Sequence, residues 1–238
     1  MLIYPAIDIF HNQCVRLRQG RIDDRTIYDI GPVEMAKLWE QKGARYLHVI
    51  DLDGALEGKS VNHDVIQELC QAVSIPVQVG GGIRRLEDIE GKLSAGAARV
   101  SIGTAAVKNP PFLQQALRKY GADKIIVGID IKEGKAALEG WEESSEVDPL
   151  RLAVKVKALG VKTLVVTDIE RDGMMTGPNL ALCRQMKEAT DLAIICSGGV
   201  ATAEDLKALQ QAGVEGAICG RALYDEKLVL STVQEELL

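Results

Sequence analysis

Aromatic side chains are scarce, at 4% of 238 residues, so the interior has to be assembled mainly from Val, Ile, Leu and Ala. Such a composition suits strands buried on both faces in a parallel sheet. The formal net charge is −6 and no block rich in Lys and Arg occurs, which argues against a nucleic-acid or anionic-membrane partner. No apolar run approaches the ~20 residues that span a bilayer. The segment Met1 to Asp8 lacks the basic start and small-residue cleavage site of a secretion signal, so the expected location is the cytoplasm. Cys14, Cys70, Cys183, Cys196 and Cys219 form no CxxC pair, and His11, His48 and His63 lack metal-ligand spacing. The cysteines read as small apolar residues in a reducing compartment, and no metal is expected.

What is present is a regular alternation. Aliphatic runs at Leu2–Ile9, Tyr46–Asp53, Val77–Gly80, Ala98–Gly103, Lys124–Ile131, Thr163–Ile169, Ala193–Ser197 and Gly216–Gly220 read as strands. Helical segments are expected between them, at Pro32–Lys42, Asn62–Val73, Leu86–Ala95, Pro110–Tyr120, Pro149–Leu159, Asn179–Ala189, Thr202–Ala212 and Glu226–Leu237. The first begins with proline and stops at Gly43, the usual punctuation of a helix. Eight such units spell a closed barrel or a doubly wound sheet. The length suits a single barrel domain spanning residues 1–238.

An internal repeat selects the barrel. Shifted by 117 positions, Val77–Val107 lies on Ile194–Tyr224 without a gap. Gly81, Gly82, Glu87, Asp88, Ala95, Gly96, Gly103 and Ala105 then meet identical residues. The same shift lays Asp51 on Asp168, and a slightly larger one lays Asp8 on Asp130. Two like halves, about 1–121 and 122–238, are expected to close into one (β/α)8 TIM barrel.

A barrel of this kind carries its chemistry at the C-terminal ends of the strands. Asp8, Asp51, Asp53, Asp130, Asp168 and Asp172 fall there. Burying a lone carboxylate is costly, so each either serves the site or is satisfied by salt bridges and helix caps. Two carboxylates facing each other across the mouth could act as general base and general acid. Gly80-Gly81-Gly82-Ile83-Arg84 and Ser197-Gly198-Gly199 each follow a strand and precede a helix, as do Gly103-Thr104 and Gly220-Arg221 one unit later. Backbone without Cβ lets N–H groups approach an anion. Two such cradles suit a substrate with a phosphate at both ends. Trp141, beside Gly140 in a long loop, could stack on a planar heterocycle or cover the rim. Arg16 and Arg18 read as solvated charges that the mouth loop could bring to a phosphate. The loops Phe10–Gly31 and Lys132–Asp148 are long enough to serve as lids.

The ordered set Pro5-Ala6-Ile7-Asp8, His48 to Ala55, Gly80 to Arg84, Gly140-Trp141, Thr167 to Gly173, Ser197 to Val200 and Gly220 to Leu223 closely resembles the phosphoribosylformimino-aminoimidazole carboxamide ribotide isomerases of histidine biosynthesis. The resemblance runs from residue 1 to about 230. It implies an aldose–ketose isomerase that performs an Amadori rearrangement by acid–base catalysis, without cofactor or metal. By resemblance Asp8 accepts the proton from C2′ of the ribosyl group and Asp130 donates one to the ring oxygen. Thr167 and Asp172 match positions that orient or protonate the substrate, and Asp172 rivals Asp130 for the acid role. The resemblance places one phosphate at Gly81, Gly82, Gly103 and Thr104, and the other at Gly198, Gly199, Gly220 and Arg221. It stacks Trp141 on the imidazole carboxamide, and Arg18, His48, Gly177 and Ser197 complete the binding set. The implied partner is a bisphosphorylated ribotide, and the working unit a monomer.

Three other readings stay open. The sister barrel, the cyclase subunit of imidazole glycerol phosphate synthase, resembles Cys-Leu-Asp-Val at the first strand, where this chain has Ala6-Ile7-Asp8-Ile9. A dual-substrate isomerase would also take phosphoribosyl anthranilate. A bisphosphate binder without catalysis would gain nothing from carboxylates beside phosphates.

Overall fold

A computed structural model describes residues 1–138, 143–144 and 146–237 of the chain. Its strands, in chain order, are β1 (Leu2–Phe10), β2 (Gln13–Arg18), β3 (Arg21–Ile27), β4 (Leu47–Asp51), β5 (Val77–Gly80) and β6 (Arg99–Ile102). They continue with β7 (Ile125–Lys132), β8 (Lys135–Leu138), β9 (Glu143–Ser144), β10 (Thr163–Asp168), β11 (Ala193–Ser197) and β12 (Gly216–Cys219). β1, β4, β5, β6, β7, β10, β11 and β12 pair in parallel in that order. The ring closes where β12 returns to β1, with Leu2 opposite Gly216 and Pro5 opposite Cys219. The fold is a (β/α)8 barrel.

Helices cover the outside of the barrel because each presents an apolar stripe to it. In Pro32–Gln41, for example, Val33, Met35, Ala36 and Trp39 are buried. The aliphatic layer between strands and helices is the main core. Inside the barrel a smaller cluster of Tyr4, Ala6, Ile126, Val165, Ile195 and Ile218 fills the lumen below the mouth. Burying a side chain of this size contributes about 1.5–3 kcal/mol, so the lumen is a packed plug and not a pore. Among the described residues no helix is long and apolar enough to cross a membrane.

The eight strands emerge where the aliphatic runs lie, with these departures. The second run ends early, because the Asp51 side chain accepts the Gly54 N–H at 2.9 Å and caps the helix Leu52–Glu57. The last helix is Leu230–Glu236 and does not begin at Glu226, which takes a left-handed turn (φ 54°) after the short helix Arg221–Tyr224. The loops expected at 10–31 and 132–148 contain antiparallel additions to the barrel: β2 pairs with β1 and β3, and β8 pairs with β7 and β9.

The shift of 117 positions seen in the sequence reappears as atomic contacts. Asn62 Nδ2 donates to Asp51 at 2.7 Å, and Asn179 Nδ2 donates to Asp168 at 2.7 Å. Asp88 accepts from the N–H groups of Arg84 and Arg85, as Asp205 does from Ala201 and Thr202. Gly103 and Gly220 share one backbone conformation, with φ, ψ of −95°, −106° and −106°, −101°.

Candidate active site

Alternation along β1 points Ala6 and then Asp8 into the lumen, leaving Asp8 at the mouth. Asp8 lies beside Val15 of β2, and this hairpin carries Arg16 over the cavity. Arg16 Nη1 donates to Asp8 Oδ2 at 2.7 Å, and Nη2 lies 3.8 Å from Asp172 Oδ1. Asp130 reaches the same cavity from β7, directly opposite Thr167 of β10. Asp8, Asp130, Thr167 and Asp172 therefore line one space.

Burial governs the charges here. It raises Asp8 above the ordinary carboxylate range, against the pull of Arg16. It raises Asp172 to about 6, with Arg16 opposing and the negative charges of Asp8 and Asp130 adding to the rise. Burial alone would weaken the Arg16 charge, but Asp8 and Asp172 outweigh it. A carboxyl near 6 holds a proton part of the time at neutral pH, and a raised carboxylate is a better base. The cluster can both give and take a proton.

The glycine turns flank this centre. Gly81, Gly82, Gly103 and Thr104 line the cavity on one side; Ser197, Gly198, Gly199, Gly220 and Arg221 line an adjoining recess on the other. Gly81 and Gly198 have φ of 90° and 94°, and a Cβ at either would collide with the carbonyl of Asp51 or Asp168. Gly177 donates to the Gly199 carbonyl at 2.9 Å and packs against it, so it supports the second turn from behind. The side chain of Arg221, which lines the recess, donates to Gly173 O at 2.9 Å and to Asp225 at 3.2 Å. Arg16 lines both spaces. Its Nε is buried without a hydrogen-bond partner among the described residues, and its guanidinium lies against Gly220. An anion in the recess would give that donor a partner.

His48 of β4 lines the cavity one level below Asp8, since it pairs with Ala6 while Ile50 pairs with Asp8. Burial, reinforced by Arg16 and Arg99, lowers it to about 3, so its ring is neutral. Arg18 does not line either space. It is half exposed at the end of β2, with its Nε 3.9 Å from Asp24. No feature of the sequence marked Arg16 as the inward one. Trp141 lies outside the described residues.

Asp51 and Asp53 prove to be scaffold. Asp51 accepts from Gly54 N, Val61 N and Asn62 Nδ2 and pairs with Lys92 at 3.4 Å, while Asp53 accepts from Asn62 and the His11 N–H. Asp168 is likewise held, by Asn179 and, at 3.5 Å, by Arg171. Among the described residues no group of three or more His, Cys, Asp or Glu side chains is placed to hold a metal ion.

The family described as "Histidine biosynthesis protein" matches residues 2–229. The chain belongs to this family. A relative from Lachnoclostridium phytofermentans is 51% identical over 230 residues, covering 97% of this chain and 96% of its own length. It is named 1-(5-phosphoribosyl)-5-((5-phosphoribosylamino)methylideneamino)imidazole-4-carboxamide isomerase. Proteins of the same name from Thermoanaerobacter pseudethanolicus and Syntrophomonas wolfei are 48% and 46% identical. The first alignment covers 99% of both chains, the second 97% of this chain and 96% of its relative. The family named by these matches is the one that the ordered motifs resemble.

Proposed function

We propose that this chain is an aldose–ketose isomerase acting on the bisphosphorylated ribotide in its relatives' name, converting the aminoaldose to the aminoketose. The observation that carries the proposal is one cavity in which Asp8, Asp130 and Asp172 lie between two glycine-lined recesses. A substrate anchored by a phosphate in each recess would hold its ribosyl group over the carboxylates.

The chemistry follows from those positions. A protonated Asp172 gives its proton to the ring oxygen as the C1′–O bond opens, and the nitrogen lone pair forms a C1′=N iminium. Ionised Asp8 removes the C2′ proton, and that electron pair forms a C1′=C2′ enol-amine. Ketonisation then protonates C1′ and releases the hydroxyl proton at C2′. The negative charge of Asp130 adds to the rise of Asp172 that burial causes, and Thr167 sits beside Asp130 to orient the sugar. Each proton transfer contributes about 10²–10⁴-fold. The proposed working unit is a monomer, and the cytoplasm is its proposed location.

Turnover assays with the formimino-linked ribotide and with phosphoribosyl anthranilate test the reading. Conversion of the first alone is expected. Conversion of both extends it to the dual-substrate class, and conversion of neither overturns it.

A further inference from the structure

A polar chain runs along the barrel interior behind His48. Ala6, His48, Gln78 and Arg99 stand side by side on β1, β4, β5 and β6. Arg99 donates to Gln78 Oε1 twice, from Nε at 2.9 Å and from Nη2 at 2.6 Å. Nη2 also donates to the Tyr4 hydroxyl at 3.1 Å. The guanidinium lies 4.8 Å from the Tyr46 ring centroid, so it is clamped from more than one side. Gln78 is fully buried and places its Nε2 2.6 Å from His48 Nδ1.

The orientation of the Gln78 amide follows from donor counting. Arg99 carries donors only, so the amide atom facing it must be the oxygen. The NH2 group then faces His48, and a ring nitrogen that meets an N–H donor must offer its lone pair. In a neutral imidazole the proton is left on the other nitrogen. His48 Nε2 has no partner among the described residues, is not a buried orphan, and belongs to a side chain that lines the cavity.

We propose that Gln78 and Arg99 are positioning residues that hold the His48 proton on Nε2, so that a fixed N–H donor faces the substrate from the cavity floor. The group it meets is an acceptor oxygen, a hydroxyl or carbonyl oxygen of the ribosyl unit, beneath the Asp8 carboxylate. Only the identity of that oxygen rests on the proposed isomerase reaction. The tautomer stands on the protein's own contacts. Without the clamp both tautomers are populated, and those molecules with the proton on Nδ1 would present a lone pair to a substrate oxygen.

The test is a nitrogen NMR spectrum of the imidazole rings of the substrate-free protein at neutral pH, with His48 assigned by its loss in His48→Asn. Only three histidines are present. The wild type is expected to carry the proton on Nε2. Gln78→Glu presents only acceptors to the ring, so the proton moves to Nδ1 and kcat/KM falls roughly tenfold, the loss of about one hydrogen bond. Arg99→Lys, which still donates to Gln78 Oε1, keeps the proton on Nε2, whereas Arg99→Met lets the amide flip and yields both tautomers. A wild-type proton on Nδ1 overturns the proposal. So does a Gln78→Glu protein that loses stability but keeps its Nε2 proton, or one whose tautomer flips at unchanged kcat/KM. Because the tautomer is read without substrate, failure of turnover on the ribotide counts against the proposed reaction and not against this assignment.

Discussion

Arg16 and Asp8 sit on adjacent antiparallel strands and are joined by a 2.7 Å hydrogen bond, both nearly withdrawn from solvent. The pair ties the proposed base to the hairpin that roofs the cavity. It also links the carboxylate centre to the second glycine recess, which Arg16 lines as well.

Arg16→Met therefore acts on both proposed proton-transfer groups. The Arg16 charge lowers Asp8 and Asp172, so its removal raises both. The pH profile of kcat/KM is expected to shift as a whole to higher pH. The drop at neutral pH should be on the order of 10²-fold, since one partner of a buried charge pair is lost. A profile unmoved in pH, with only its height reduced, would show that Arg16 serves binding alone.

Asp172→Asn separates stability from activity. Asp172 is raised to about 6 in the fold, so the native state holds its proton longer than the unfolded chain does. Its contribution to stability is complete at pH below the unfolded carboxylate value and is lost as pH rises toward 6. Asparagine cannot ionise and escapes that loss. The variant should match the wild type near pH 4 and exceed it above pH 6, by up to ~3 kcal/mol for a two-unit shift. Thermal melts across this range check the sign, and equal melts at all values would contradict it.

The duplicated asparagines are unequal. Asn62 is buried and donates to both Asp51 and Asp53, whereas Asn179 donates to Asp168 alone and also caps its helix through Oδ1. Asn62→Ala leaves two buried carboxylates short of a donor and should cost about 2–5 kcal/mol; Asn179→Ala should cost about 1–3. Urea unfolding of the two variants measures the difference, and a larger loss at Asn179 would overturn this ranking.

Much of this was legible in the chain itself. Buried parallel strands must be continuous and aliphatic, and the turns beside them need glycine where the backbone passes close to a strand-end carbonyl. Gly81 and Gly198 meet that demand at Asp51 and Asp168, so strands and recesses could be placed from sequence. Other features depend on contacts that no local pattern encodes. Arg16 and Arg18 are alike in sequence, and only their partners in the fold tell them apart: Asp8 and Asp172 for the first, Asp24 for the second. Asp51 and Asp8 both end aliphatic strands, yet the first is consumed by Asn62, Gly54 and Lys92 from later elements, while the second faces the cavity. Gln78 is hidden in a four-residue strand, and its role emerges only from Arg99 and His48 on its neighbours.

The most direct test of the central claim is kcat/KM for the ribotide as a function of pH in wild type, Asp8→Asn, Asp130→Asn and Asp172→Asn. Asp8→Asn and Asp172→Asn should each lose about 10²–10⁴-fold at every pH, as expected when a proton-transfer group is removed. Asp130→Asn should keep much of its rate at low pH, with the alkaline limb moved to lower pH, because Asp130 acts by raising Asp172. Full activity in Asp8→Asn, or an inactive Asp130→Asn beside an active Asp172→Asn, would contradict the account.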